Sequence, residues 1–127
     1  MKYLTALTAA ALAAGLSVPA FAEGDAAAGE KVYKKCKSCH AVGEGARNKV
    51  GPQLNGIVGA EIASVDGFKY SKAFMDKKAE GLVWTEQAIA AYLEKPRDYI
   101  PGTRMSFGGL NKEEDRINVT AYLMTFK

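Results

Sequence analysis

The sequence predicts an all-α protein, three to four helices joined by long loops. Three observations carry that expectation. Apolar residues recur at three- and four-residue spacing in separate stretches, each opening on a residue suited to capping. The apolar–polar alternation of a half-buried strand is nearly absent. The stretches Gly43 to Gly59 and Pro96 to Gly109 are glycine-punctuated and unusually long, and loops of such length are usually functional or wrapped around something. A small chain with so little regular structure needs a large apolar ligand to complete its core.

The elements follow in order. From Asp25, a suitable N-cap, Ala28, Val32, Tyr33 and Cys36 fall at helical spacings to about Lys35. A weaker short helix is expected from Ser71 to about Ala79. From Thr85, another cap, Ile89, Tyr92 and Leu93 share a face, and Pro96 stops the helix. Asn111-Lys112-Glu113-Glu114 reads as a capping box, followed by an apolar stripe of Ile117, Ala121 and Met124. No repeat is visible.

Residues 1–22 are an address. Lys2 supplies a positive start, Leu4 to Leu16 an uncharged apolar run, and Ala20-Phe21-Ala22 a small-x-small cleavage site, the layout of a secretory signal cut before Glu23. An uncleaved anchor is the competing reading, but Thr5, Thr8, Ser17 and Pro19 interrupt the apolar run. Cleavage takes 22 residues and Lys2 from the 127, leaving a single domain, 23–127, with a formal charge of +2 instead of +3. Export places the protein in the periplasm and its cysteines under oxidising conditions.

Both cysteines and the single histidine lie in one pentapeptide, Cys36-Lys37-Ser38-Cys39-His40. Three ligands are too few for a closed zinc site, and two cysteines three apart are no disulfide framework. A thioredoxin-like redox pair would need a strand and a βαβ context that the chain lacks. A buried cysteine pair beside an incidental histidine accounts for neither the export signal nor the adjacency of His40. C-x-x-C-H is the attachment signal for c-type haem. Cysteines three apart at a helix end face one side, so both thiols can add across the two vinyl groups of one porphyrin edge. His40 then turns its imidazole toward the iron.

With no second histidine, methionine is the remaining good sixth ligand, the pairing that raises a haem's potential. Met124 belongs to the last helix's stripe and is expected in the core. Met75, beside Phe74 in a short helix, reads as filler. Met105 lies in Tyr99-Ile100-Pro101-Gly102-Thr103-Arg104-Met105, a loop stiffened by Pro101, where helix packing does not account for it. It is the expected ligand. The rigid turn Gly51-Pro52 can present a carbonyl to the other His40 nitrogen.

At this point the chain resembles the class I c-type cytochromes, close to the bacterial cytochrome c2 and mitochondrial cytochrome c group. The resemblance spans Gly24 to Phe126. It is carried by C-K-S-C-H at 36–40, G-P-Q-L-N-G at 51–56, Y-L-E-K-P at 92–96 and Y-I-P-G-T-R-M at 99–105. It implies a cytochrome c-like fold around one covalent haem c held by Cys36 and Cys39, with His40 and Met105 on the iron and the Pro52 carbonyl accepting from His40. Tyr92 and Thr103 would lie on the methionine side. Tyr70 and Trp84 would hydrogen-bond a propionate, and Gly29 and Tyr33 would meet the last helix, with Tyr122 opposite. Two departures stand out: Ala60 where much of the group has an arginine near the propionates, and Phe74 where a polar asparagine is common.

The small net charge hides a division. Residues 31–58 hold six basic and one acidic residue, and residues 95–112 hold four basic and one acidic, together +8 against −6 for the rest of the mature chain. By the resemblance, Lys35, Arg47, Lys49, Arg97, Arg104 and Lys112 form a basic ring around an exposed haem edge. Such a ring steers encounter with acidic docking surfaces more than it adds affinity, which suits a shuttle. A nucleic-acid partner is not expected of an exported haem protein. The expectation is therefore a soluble, monomeric one-electron carrier, not an enzyme. Its donor would be a quinol–cytochrome c oxidoreductase and its acceptor an oxidase, reaction centre or reductase, with membranes touched only through those complexes. A haem enzyme or gas-binding domain, with Met105 loosely held, is the alternative.

Overall fold

The computed structural model describes residues 23–127. The expected signal, residues 1–22, lies outside the described residues. Five helices follow one another: α1 (Ala26–Tyr33), α2 (Lys72–Ala79), α3 (Glu86–Glu94), α4 (Pro96–Tyr99) and α5 (Glu113–Met124). The only strand-like pairing among the described residues is an isolated bridge between Glu61 and Val83.

Three of the caps are side-chain oxygens on orphan amides. Asp25 Oδ1 accepts from the N–H groups of Ala27 and Ala28 at 2.9 and 3.2 Å, Ser71 Oγ from Phe74 at 3.2 Å, and Thr85 Oγ1 from Ala88 at 3.0 Å. The fourth helix arises inside a stretch read as loop. Pro96, which ends α3, also opens α4, because a fixed φ and a missing N–H cost nothing at a helix's first position.

The start of α5 departs from expectation. Its N-cap is Lys112, without a side-chain cap bond, so Asn111 builds no capping box. The Arg116 guanidinium instead reaches back to the carbonyls of Leu110 and Asn111 at 2.7 and 3.0 Å and holds the entering chain. The buried face of α5 is Asn118, Val119, Thr120 and Leu123. Ile117 and Ala121 are half-buried and lie against Gly24, just ahead of α1. Met124 falls outside it and is 44% exposed, so it is not the core residue expected.

Helices α1 and α5 make the most extensive helix contact, and α3 packs on α5. The crossing is close because Gly29 has no side chain: a Cβ there would run into the carbonyl of Asn118. Beside it Tyr33 and Tyr122 meet with ring centroids 5.3 Å apart. The buried amide of Asn118 receives the Asp25 N–H at 2.9 Å, tying the start of α1 to the middle of α5. Ile62, Ile100 and Val119 are fully buried and join Trp84, Tyr92, Leu110 and Leu123 in the core. The loop at Gly59 to Ile62 is laced to Leu82–Trp84 by backbone bonds of 2.7, 2.8 and 3.0 Å. That leaves one face of the core lined by loops.

Candidate functional site

Past α1 the chain continues in tight turns. Cys36 N–H donates to the Tyr33 carbonyl at 2.8 Å, and the amides of Cys39 and His40 both donate to the Cys36 carbonyl, at 3.1 and 2.9 Å. Both thiols and the imidazole are thereby gathered within a single turn. The cysteines are free and half-buried. Burial, aided by neighbouring Cys39, pushes the Cys36 thiol up to about 11. That direction is opposite to the lowered pKa by which an exchanging thiol is activated.

His40 is fixed from its far side. Its Nδ1 lies 2.7 Å from the Pro52 carbonyl oxygen, and because that oxygen can only accept, Nδ1 carries the proton and Nε2 the free lone pair. Burial lowers the imidazole's pKa below 6.5, which favours the neutral ring that a metal ligand must be, although the Pro52 bond opposes the shift. The segments 39–43 and 51–55 are laced together. Gly51 N–H donates to the Cys39 carbonyl at 2.8 Å, Leu54 N–H to Ala41 at 3.0 Å, and the Asn55 side chain pairs with both backbone groups of Gly43 at 2.8 Å each. Gly51 passes against the imidazole with no room for a side chain.

The loop carrying Met105 is held by a second relay. The hydroxyls of Tyr92 and Thr103 share a hydrogen bond of 2.7 Å, and Thr103 Oγ1 also accepts from the Met105 N–H at 3.3 Å. Burial raises the Tyr92 pKa, so its phenol stays protonated. Met105 is half-buried and packs against the core.

An aromatic wall lines the site. Phe74 lies between Tyr70, Trp84 and Tyr92, with centroids 6.0, 6.1 and 6.0 Å away, and Trp84 meets Tyr92 at 5.2 Å. Phe74 thus replaces a polar group with the centre of an apolar cluster. Tyr70 accepts the Val65 N–H at 3.0 Å, which leaves its own hydroxyl hydrogen to donate. Ala60 borders a cavity of about 610 Å³ shared with Arg47, Asn48 and Asp66.

The donor set fits a covalent haem. Two free thiols in one turn, a neutral imidazole with its lone pair on Nε2, and a glycine shaped around that ring are what such a group requires. The buried Tyr33 hydroxyl has no hydrogen-bond partner among the described residues, an oddity near the same turn. Lys35, Arg47, Lys49, Arg97, Arg104 and Lys112 are all exposed, and neither ion pair found among the described residues uses them. Lys49 is the exception to their freedom, since its ammonium donates to the Lys37 carbonyl at 2.7 Å. Sequence reasoning did not single out Asn48 or Asn55. Their signal was weak: an asparagine among loop glycines reads as a turn former, and only the fold shows what its amide reaches.

The sequence pattern that defines the family "Cytochrome c" matches residues 26–127. The chain is 48% identical over 126 residues to cytochrome c-554 of Methylosinus trichosporium, covering 99% of this chain and 91% of that one. It is 51% identical over 100 residues to cytochrome c2 of Afifella marina, covering 79% and 81% respectively. Its fold superposes on the structure of cytochrome c2 from Rhodospirillum centenum with a TM-score of 0.78 at 38% identity, over 81% of this chain and 98% of that one. No helix among the described residues is long and apolar enough to cross a membrane. With the all-helical frame, the C-x-x-C-H turn and these likenesses together, the chain belongs to the cytochrome c family and is an electron carrier with one covalently bound haem c.

Proposed function

We propose that this protein, as a soluble mature domain of residues 23–127, carries single electrons through the periplasm after cleavage before Glu23. Cys36 and Cys39 hold the haem by thioether bonds, and His40 and Met105 ligate its iron. The observation that carries the reading is the His40–Pro52 bond of 2.7 Å, which fixes the tautomer and aim of an imidazole next to two free cysteines. When bound, haem supplies reversible one-electron exchange at iron. The chain's own residues keep that exchange cheap. Pro52 holds the His40 proton on Nδ1, while Tyr92 and Thr103 pin the backbone of Met105. The ligand set then needs little rearrangement when the charge changes. Tyr70, with a hydroxyl hydrogen to spare, and Trp84 serve the propionates. Phe74 keeps water from the methionine side.

Docking falls to the exposed cations Lys35, Arg47, Lys49, Arg97, Arg104 and Lys112, directed at acidic surfaces of a quinol–cytochrome c oxidoreductase as donor and an oxidase, reaction centre or reductase as acceptor. The steering is electrostatic and reversible. No substrate is converted, and the carrier works as a monomer.

Ligation of the purified protein is the test. Reduced wild type is expected not to bind carbon monoxide and oxidised wild type to show a methionine–iron charge-transfer band, both lost in Met105→Ala. Ready carbon monoxide binding by native wild type would instead favour a gas-binding or peroxidase-like site.

A further inference from the structure

The bond from His40 to Pro52 is flanked by three rungs joining residues 39–43 to residues 51–55. Two are backbone bonds, Gly51 to Cys39 and Leu54 to Ala41. The third is made by a side chain. Asn55 Oδ1 accepts the Gly43 N–H at 2.8 Å, and Asn55 Nδ2 donates to the Gly43 carbonyl at 2.8 Å. An asparagine amide offers one acceptor and two donors on a planar frame, so it can satisfy both backbone groups of one residue as a neighbouring strand would. Gly43 is in the left-handed region (φ 94), which turns its N–H and carbonyl away from the regular run of the chain. Asn55 is itself oriented, because its backbone N–H is held by the Gln53 side chain at 2.7 Å. On the other side of this loop, Gly56 N–H donates to the Phe126 carbonyl at 2.8 Å.

We propose that Asn55 is a positioning residue for His40: its two bonds to Gly43 close the ladder that fixes the Pro52 carbonyl at the imidazole Nδ1. The inference rests on His40 being the iron ligand. A strong bond from Nδ1–H to a carbonyl raises the basicity of the opposite nitrogen and favours the ferric state. Releasing the Asn55 rung lets residues 51–55 drift, lengthens that bond and moves the potential upward. Asn55 is suited to such control because, of the three rungs, its alone is made by a side chain and can be removed without changing the backbone.

The test uses the haem-loaded protein and its Asn55→Ala and Asn55→Asp variants. Asp keeps an acceptor for Gly43 N–H but has no N–H for the Gly43 carbonyl. Two readouts go beyond stability: solvent exchange of the His40 Nδ1 proton by NMR in the diamagnetic reduced state, and the midpoint potential. Val50→Ser, a change at an exposed position of the same loop, is the comparison. Asn55→Ala, which loses both bonds to Gly43, is expected to exchange this proton about tenfold faster or more, with a raised potential. Asn55→Asp should fall between it and wild type and gives a reading if Asn55→Ala fails to retain haem. Unchanged exchange and potential, whatever happens to the melting temperature, would overturn the proposal, as would equal effects from Val50→Ser. The ligand assignment fails separately: iron-shifted His40 ring protons must appear in oxidised wild type before any variant is compared.

Discussion

Gly51 lies directly against the imidazole of His40. A Cβ at residue 51 would stand 2.8 Å from Nδ1 and 2.9 Å from Nε2, with Cε1 closer still. The glycine is therefore part of the histidine's socket, and its neighbour Pro52 supplies the hydrogen bond that completes it. Gly51→Ala should tilt the ring, break the bond to Pro52 and cost about 1–3 kcal/mol through overpacking. Reduced Gly51→Ala protein should bind carbon monoxide more readily than wild type. A variant with wild-type spectra and stability would show that the loop can yield.

The second glycine with a steric duty is Gly29. Its missing side chain is replaced, in effect, by the Asn118 carbonyl of α5. Gly29→Ala must push α1 off α5, separating Tyr33 from Tyr122 and stretching the bond between Asp25 and Asn118. The obstacle is backbone, which cannot rotate aside, so the loss should exceed that of an ordinary helix-surface change, at about 2–3 kcal/mol. Denaturant unfolding of the haem-loaded protein measures it.

Much of this architecture is legible in the amino-acid sequence. The caps Asp25 and Thr85 are readable because a side-chain oxygen before an apolar period is a local signal, whereas the weaker period after Ser71 marks a helix without showing its cap. The C-x-x-C-H turn is readable because attachment chemistry dictates its spacing. Asn111 misleads because its sequence context satisfies the capping pattern, while the deciding interaction is Arg116 reaching back to two carbonyls. Met124 misleads for a related reason: periodicity along α5 gives spacing but not phase, and phase is set by where α1 and α3 lie. The rung from Asn55 to Gly43 spans 12 residues between irregular segments, beyond what local pattern can show. Met124→Ala accordingly should change stability by less than about 0.5 kcal/mol, as exposed positions do, and leave iron ligation untouched.

Tyr33 gives a pH-dependent prediction. Burial pushes its phenol up to about 12 from 10, and its hydroxyl has no partner among the described residues. A raised folded-state pKa means that the unfolded chain loses this proton first. The neutral phenol's contribution is therefore fully present below pH 10 and declines as pH rises toward 12. Tyr33→Phe should remove that part of the alkaline decline. It should also match or exceed wild-type stability at pH 7, since it deletes an unsatisfied buried group while keeping the ring contact with Tyr122. Unfolding curves between pH 7 and 12 decide it, and a clear loss at pH 7 would mean that the hydroxyl has a partner in the haem-loaded protein.

The docking face is testable by charge alone. Lys35 follows α1 immediately before the haem cysteines, and Arg97 sits on α4 ahead of the Met105 loop, so the two sample separate parts of the basic division. Both are exposed, and neither takes part in an ion pair found among the described residues. Lys35→Glu and Arg97→Glu should each slow electron transfer to an acidic partner at low salt, by about tenfold or more when combined, because steering acts on the encounter rate. Raising salt screens the attraction in wild type and the repulsion in the variant, so their rates should converge near 1 M, where the Debye length falls to about 3 Å. Rates that remain equal at low salt would move the docking face elsewhere. A difference that persists at high salt would mean that the substitutions altered the haem site itself, which an unchanged potential in each variant would exclude.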